Sequence, residues 1–356
     1  MFVALRDLRF ARGRFLLIGA VVTLITVLVG FLSGLTGGLA TQNISAVLAI
    51  PGDRIVFSTP TNGTSTPSYS DSTVTEQQSK MWSAADGVAS VEPIGVSQTR
   101  AEAGDARTAV AVFGVQPRFD DTAPTQDGSV SLSTPAAADL DVTVGDEIQI
   151  AGSTYTVETV AGEGWYSHTP VIEMTLGDWQ GYSAATGAPD AYATVLAVTG
   201  TPDWDATDAA ATTISETILG SLTALSAFRS EIGSLLLMVG MLFGISGLVI
   251  GAFFTVWTMQ RKTDIAVLKA LGASTRSLIR DALGQALIVL LVGIGVGLAL
   301  VTGLGALAGK ALPFMLSPLT TLLPGAIMIA LGLAGAAFAL RSVTSADPLS
   351  ALGSNR

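Results

Sequence analysis

The sequence predicts a polytopic α-helical membrane protein. Four transmembrane helices carry a large mixed α+β extracytoplasmic domain between the first and second spans, joined to the membrane by a helical stalk. Three observations carry this prediction: four long stretches free of charge, basic residues gathered on one side of those stretches, and a polar, acidic insert. The chain has 356 residues, 49% apolar and 13% charged, with no cysteine, one histidine and a formal charge of −10. Soluble domains carry about a quarter charged residues. A mean hydropathy of +0.56 argues against disorder, and the acidic balance argues against a nucleic-acid partner. The lack of Cys removes disulfides, thiolate metal sites, iron–sulfur clusters and thiol catalysis together.

The uncharged runs come first. They hold 38 residues between Arg14 and Asp53, 29 between Glu231 and Arg261, 28 between Asp281 and Lys310, and 30 between Lys310 and Arg341. A helix needs about 20 apolar residues to cross the bilayer, so each run holds one span. The spans are expected at 15–39, 235–259 and 282–309, with a short outer loop and the fourth span within 310–340. Arg6, Arg9, Arg12 and Arg14 precede the first span, Arg261, Lys262, Lys269, Arg276 and Arg280 separate the second and third, and Arg341 and Arg356 follow the fourth. By the positive-inside rule these segments (1–14, 260–281 and 341–356) are cytoplasmic, so both termini lie inside a multi-pass plasma-membrane protein. Residues 41–228 carry a net charge of −18 against +8 for the remainder, as suits an exported insert. An N-terminal signal peptide would also begin with arginines and end near small residues such as Gly38 and Ala40. Phe15–Leu32 already exceeds the usual 7–15-residue apolar core, which favours an uncleaved span.

Within the insert, 40–203, Pro51-Gly52 ends the first helix and Arg54–Phe57 reads as a strand. Ser58–Ser72 is a Thr/Ser/Pro/Gly-rich loop. Ala109–Val115 reads as a buried strand, Val142–Ile150 and Thr154–Val160 as a hairpin, and Val171–Met174 and Ala193–Val198 as further strands. Beyond Trp204, Ile214, Ile218, Leu222, Leu225, Phe228 and Ile232 share one broad helical face. This predicts a stalk helix over 204–234, with the alternative that the stripe packs beneath the insert as core.

Most motifs offer no chemistry. His168, the one imidazole, sits in Gly164-Trp-Tyr-Ser-His168 without zinc-type partner spacing and reads as a surface residue. Gly309-Lys310 lacks the glycine and Ser/Thr of a phosphate-binding loop, since Leu304 and Ala311 occupy those positions, so the chain has no ATP site of its own. Glycines four apart, such as Gly240/Gly244, Gly247/Gly251 and Gly293/Gly297, suit close helix packing and dimerisation. In the cytoplasmic loop Thr263/Asp264 cap a short helix that stops at Gly272, with Ile265, Leu268 and Leu271 on one face. That strip suits either a groove on a partner protein or the lipid headgroups.

Arg261–Ser274 resembles the R-x-x-E-I-x-x-L-R-A-L-G-A-S coupling segment of MacB/FtsX-type ABC transporter permeases, with Asp264 and Lys269 as conservative departures. Ala4–Arg9 is similar to the amphipathic helix that leads into the family's first span, Leu140–Ile150 to its "G-D" hairpin, and Ala346–Leu352 to its C-terminal motif. Gln285 stands where relatives often place Glu. The resemblance implies a homodimer bound to two copies of a separate ATPase, which binds the ATP. The coupling residues Asp264, Ile265, Leu268, Lys269 and Leu271 would pass its motion through the spans. The N-terminal run Ala4–Asn43 looks most like the actinobacterial, heme-exporting HrtB-type group, which implies heme as a transported ligand rather than a resident cofactor.

On that resemblance, Glu231 at the outer mouth of the second span is the expected axial ligand, one from each subunit. Arg229 would meet a propionate. Phe228, Phe31 and Leu35 would form an apolar wall, with Met238 deeper in. The plain alternative for Glu231 is an interfacial carboxylate, either solvated or paired with Arg229. Two other activities fit the same architecture: an FtsX-like signal transducer that activates a cell-wall hydrolase, and lipid or lipoprotein extraction.

Overall fold

The computed structural model describes residues 12–60, 66–260, 267, 272–309 and 311–344. The coupling residues Asp264, Ile265, Leu268, Lys269 and Leu271, most of the lead-in segment 1–14 and the end of the tail lie outside the described residues. The chain forms two compact units, Met1–Gly38 with Ser234–Arg356, and Leu39–Gly233.

The first unit is helical. It draws on α1 (Arg12–Ala49), α7 (Ser226–Gln260), α8 (Thr275–Ala308) and α9 (Pro318–Thr344). All four helices are long and apolar enough to cross a membrane. Ile18, Val22 and Val29 of α1, Ile250 and Phe254 of α7, Leu290 and Ile294 of α8, and Met328 and Ala336 of α9 make one buried cluster. Lipid tails supply no hydrophobic drive between helices, so close backbone approach has to hold them. A Cβ on Gly297 would lie 2.5 Å from Thr26 Cβ, and one on Gly293 would lie 2.9 Å from Val22 Cγ1. Both glycines let α8 press on α1, where Thr23 Oγ1 donates to Gly293 O at 2.9 Å. Gly240 and Gly244 face open space instead. Between α8 and α9, Met315 N donates to Gly34 O at 3.0 Å, and the Phe314 ring lies tilted against that of Phe31 with centroids 4.9 Å apart.

The second unit is a mixed α+β domain. Its strands are β1 (Arg54–Ser58), β2 (Val88–Ala103), β3 (Ala106–Val115), β4 (Ser129–Leu132), β5 (Glu147–Ile150), β6 (Ser153–Val160), β7 (Trp165–Tyr166), β8 (Thr169–Thr175), β9 (Val195–Gly200) and β10 (Thr213–Thr217). Short helices are interleaved: α2 (Glu76–Ser83), α3 (Thr134–Leu140), α4 (Leu176–Ala185), α5 (Trp204–Ala211) and α6 (Ile218–Ser221). The strand order is β10-β1-β9-β2-β3-β8-β4-β6-β5, and β5 also pairs with β2 through Ala101↔Ile150. The 16-residue β2 therefore belongs to an open antiparallel sheet by its first half and to a closed ring of strands by its second. The ring encloses Val112, Leu132, Ile148, Val157, Ile172 and Met174. Trp179 of α4 lies over Gly95 and Gly114, where no side chain fits. A second core gathers Val47 and Ile50 from the end of α1 with Phe57, Tyr69, Phe113, Tyr166, Leu222 and Leu225.

The first helix runs past the expected span to Ala49 and stops before Pro51, as read. One expectation changes. The long stalk-bearing helix begins at Ser226 rather than at 204. Thr212 turns left-handed (φ 56°) after α5, and Thr213–Thr217 then pairs with β1 as an edge strand. The apolar stripe that suggested one helix is core: Leu222 and Leu225 are buried, with Ile218 and Phe228 packed against them.

A Glu231–His168–Asn43 cluster at the start of the second long helix

The candidate site is built on a turn. Trp165-Tyr166 and Thr169-Pro170 pair as a tight hairpin whose two-residue loop is Ser167-His168. Both loop residues take positive φ, 47° and 65°, the backbone of a type I′ turn that ordinarily asks for Asn-Gly. Left-handed backbone in such residues costs about 1–3 kcal/mol each unless the surroundings enforce it. Here they do. Ser167 N donates to Asn43 O at 3.0 Å and His168 N to Gln42 O at 2.9 Å, which fastens the hairpin tip to α1. One residue before the turn, Tyr166 is buried in an aromatic group, with ring centroids 5.9 Å from Tyr69 and 5.5 Å from Phe113. Ser45 adds a further tie, accepting a hydrogen bond from Trp165 N at 2.9 Å.

The turn aims His168 at Glu231. His168 Nε2 lies 2.8 Å from Glu231 Oε2, a contact that needs one proton between the two atoms. Asn43 Nδ2 donates to the same oxygen at 3.2 Å and lies 3.3 Å from His168 Nε2. Two residues from two other segments thus converge on one carboxylate oxygen. The His and Glu side chains are 32% and 42% exposed, while Asn43 is buried. Asn43 Oδ1 is buried without a hydrogen-bond partner among the described residues, an arrangement that costs about 1–3 kcal/mol. Stability alone therefore does not explain an asparagine here.

The other expected residues fall as follows. Arg229 is exposed and makes no ion pair among the described residues, so Glu231 is paired with His168 and not with Arg229. Phe228 is half-buried against the core around Leu225. Phe31 stacks on Phe314, Leu35 is half-buried, and Met238 is 51% exposed. His168 is no plain surface residue, and Asn43 was not anticipated at all. The available signals were weak. His168 is the one imidazole of the chain, between two pairs of strand-forming residues, and Asn43 is an amide inside an uncharged helix.

A separate cavity of about 380 Å³ lies in the same unit between the end of α1 and the strands. Phe113, Phe119, Asp120, Thr122 and Glu173 are among its lining residues. Burial, with the nearby Asp120 charge adding to it, pushes the Glu173 carboxyl up from 4.5 to about 7; a hydrogen bond from Thr122 opposes the shift.

The chain is similar to known proteins over nearly its whole length. Residues 236–348 match the FtsX-like permease C-terminal family. A Staphylococcus haemolyticus protein named as a hemin transport system permease, HrtB, is 25% identical over 99% of both chains. An uncharacterised ABC transporter permease of Mycobacterium tuberculosis is 24% identical over the same share. Among solved structures, the periplasmic region of MacB from Actinobacillus actinomycetemcomitans covers 48% of this chain and 90% of its own, at 9% identity and a TM-score of 0.36. The extracellular domain of the Gram-positive transporter YknZ covers 45% and 88%, at 14% identity and a TM-score of 0.33. The chain thus carries an FtsX-like permease C-terminal domain over residues 236–348, beside four membrane-length helices and a mixed-sheet domain between the first two.

Proposed function

We propose that the chain is the membrane subunit of an exporter that extrudes a membrane-partitioned substrate, most specifically heme, using ATP hydrolysed by a separate ATPase subunit. An ABC permease of this family implies such a partner. In this reading two copies of the permease bind two copies of the ATPase, both termini are cytoplasmic, and the domain around 41–228 is outside. The coupling residues Asp264, Ile265, Leu268, Lys269 and Leu271 receive the ATPase stroke. The closing of the ATPases travels through the spans, with no catalytic step on the permease itself.

One observation carries the substrate reading: Glu231 is a half-exposed, hydrogen-bonded carboxylate at the start of the second long helix. A carboxylate suits ferric iron as an axial ligand, and ionisable groups beside a span are functional by default. The full-length hemin-permease relatives support the same choice. Arg229, exposed nearby on the same helix, is suited to a propionate. Phe228, Phe31, Leu35 and Met238 supply apolar contact in the assembled dimer.

Titrating the purified protein with hemin tests the reading. Wild type is expected to give a Soret band that Glu231→Ala weakens. An unchanged spectrum in that variant removes the ligand assignment. Deletion of the gene is expected to sensitise cells to hemin; cells that instead show only cell-wall defects point to a signal transducer of the FtsX kind, and cells with altered surface lipoproteins to lipid extraction.

A further inference from the structure

The geometry points to His168 and Asn43 as positioning residues for Glu231: together they fix the orientation of the carboxylate that meets the substrate's iron. This rests on the heme reading above. A carboxylate on a helix turn with nothing beside it rotates, and rotation weakens it as a ligand. Here His168 Nε2 and Asn43 Nδ2 both close on one oxygen, Oε2, at 2.8 and 3.2 Å. Groups that hold a metal ligand from behind set its orientation and basicity.

The hardware behind the imidazole suits this role. The turn is fastened to α1 through backbone bonds from Ser167 N and His168 N, and its root is fixed by buried Tyr166. Neither attachment uses the His168 side chain, so the imidazole is held in place without contributing to the attachment. Asn43 supplies its second donor from a fully enclosed position, with Oδ1 left unpartnered among the described residues.

His168 and Glu231 of one chain do not both ligate the same iron. Nε2 and Oε2 lie 2.8 Å apart, side by side. Two such neighbours would occupy adjacent positions on a metal. The four porphyrin nitrogens leave only two positions, on opposite faces of the ring. One chain therefore gives a heme one of these two groups. With the carboxylate on the iron, as proposed above, the imidazole beside it is left to hold that carboxylate in place.

The test is a hemin titration of the full-length protein in detergent, read by the Soret band and by the ferric electron paramagnetic resonance signal. His168→Asn keeps a residue tolerant of left-handed backbone but is too short to reach Glu231. It is expected to weaken hemin binding by about tenfold or more and to alter the ferric signal. His168→Gln, which restores a donor of near-equal reach, is expected to recover both in large part. Asn43→Leu removes the other donor, keeps the backbone oxygen that holds the turn, and is expected to show the same loss. Wild-type affinity and an unchanged ferric signal in His168→Asn, or in Asn43→Leu should the turn variant fail to fold, overturn the positioning role and leave Glu231 as ligand. A wild-type protein that does not bind hemin, or binds it equally well as Glu231→Ala, overturns the heme reading and this inference with it.

Discussion

Replacing Glu173 by Gln should stabilise the extracytoplasmic unit above neutral pH while leaving it nearly unchanged in mild acid. Glu173 sits on β8 at the wall of the 380 Å³ cavity, and burial, then the Asp120 charge, raises its carboxyl from 4.5 to about 7. Between those two values the folded protein keeps a proton that the unfolded chain has already released. Stability therefore falls as pH rises from about 4.5 to 7 and is level above that. A shift of this size corresponds to about 3 kcal/mol, and residual solvent access to the side chain reduces the expectation to roughly 2 kcal/mol. For a unit of this size that is about 4–8 °C in melting temperature. The assay is tryptophan-detected thermal unfolding of the detergent-purified chain from pH 5 to 8.5, comparing wild type with Glu173→Gln. Glu92, also raised by burial, contributes in the same direction to both proteins and cancels in the difference. Asp146 and Glu158 are held low by hydrogen bonds from Thr143 and from Ser129 and Thr125, so their contribution is lost only at more acid pH. A constant offset between the two melting curves across this range would show that Glu173 does not carry the proton.

Two further outcomes follow from the helical unit and its cytoplasmic loop. Gly297→Val should lower stability by about 1–3 kcal/mol, because the new side chain meets Thr26 of α1. Gly295→Val, on the open face of the same helix, should be tolerated, and equal melting temperatures for the two variants would contradict the packing. Leu268→Asp should leave ATP hydrolysis by the partner running while hemin efflux stops, as measured in proteoliposomes; efflux at the wild-type rate would exclude Leu268 from coupling.

Much of the architecture is legible along the chain. Each span announces itself because lipid solvates residues one at a time, and the charge-free runs coincide with α1, α7, α8 and α9. The β5–β6 hairpin is likewise local, with Ala151-Gly152 in a left-handed turn between two short strands. The longest strand was not legible. Val88–Ala103 contains Pro93, Gly95 and many polar residues, and it is a strand because β9, β3 and β5 pair with it from elsewhere in the chain. The stripe from Ile214 to Ile232 reads equally well as helix or core. Edge pairing of Thr213–Thr217 with β1 settled the matter against a continuous helix.

The candidate site divides the same way. Glu231 stands out locally as a lone carboxylate beside an apolar run, and composition and hydropathy suffice to find it. Its partners are 63 and 188 residues away, and nothing near His168 or Asn43 announces the meeting. Membrane insertion and export depend on sums over neighbouring residues, which the order of amino acids already contains. The convergence on Glu231 depends on a strained two-residue turn docking on a helix, an event of packing and backbone hydrogen bonding between distant segments. Only the folded chain makes that connection.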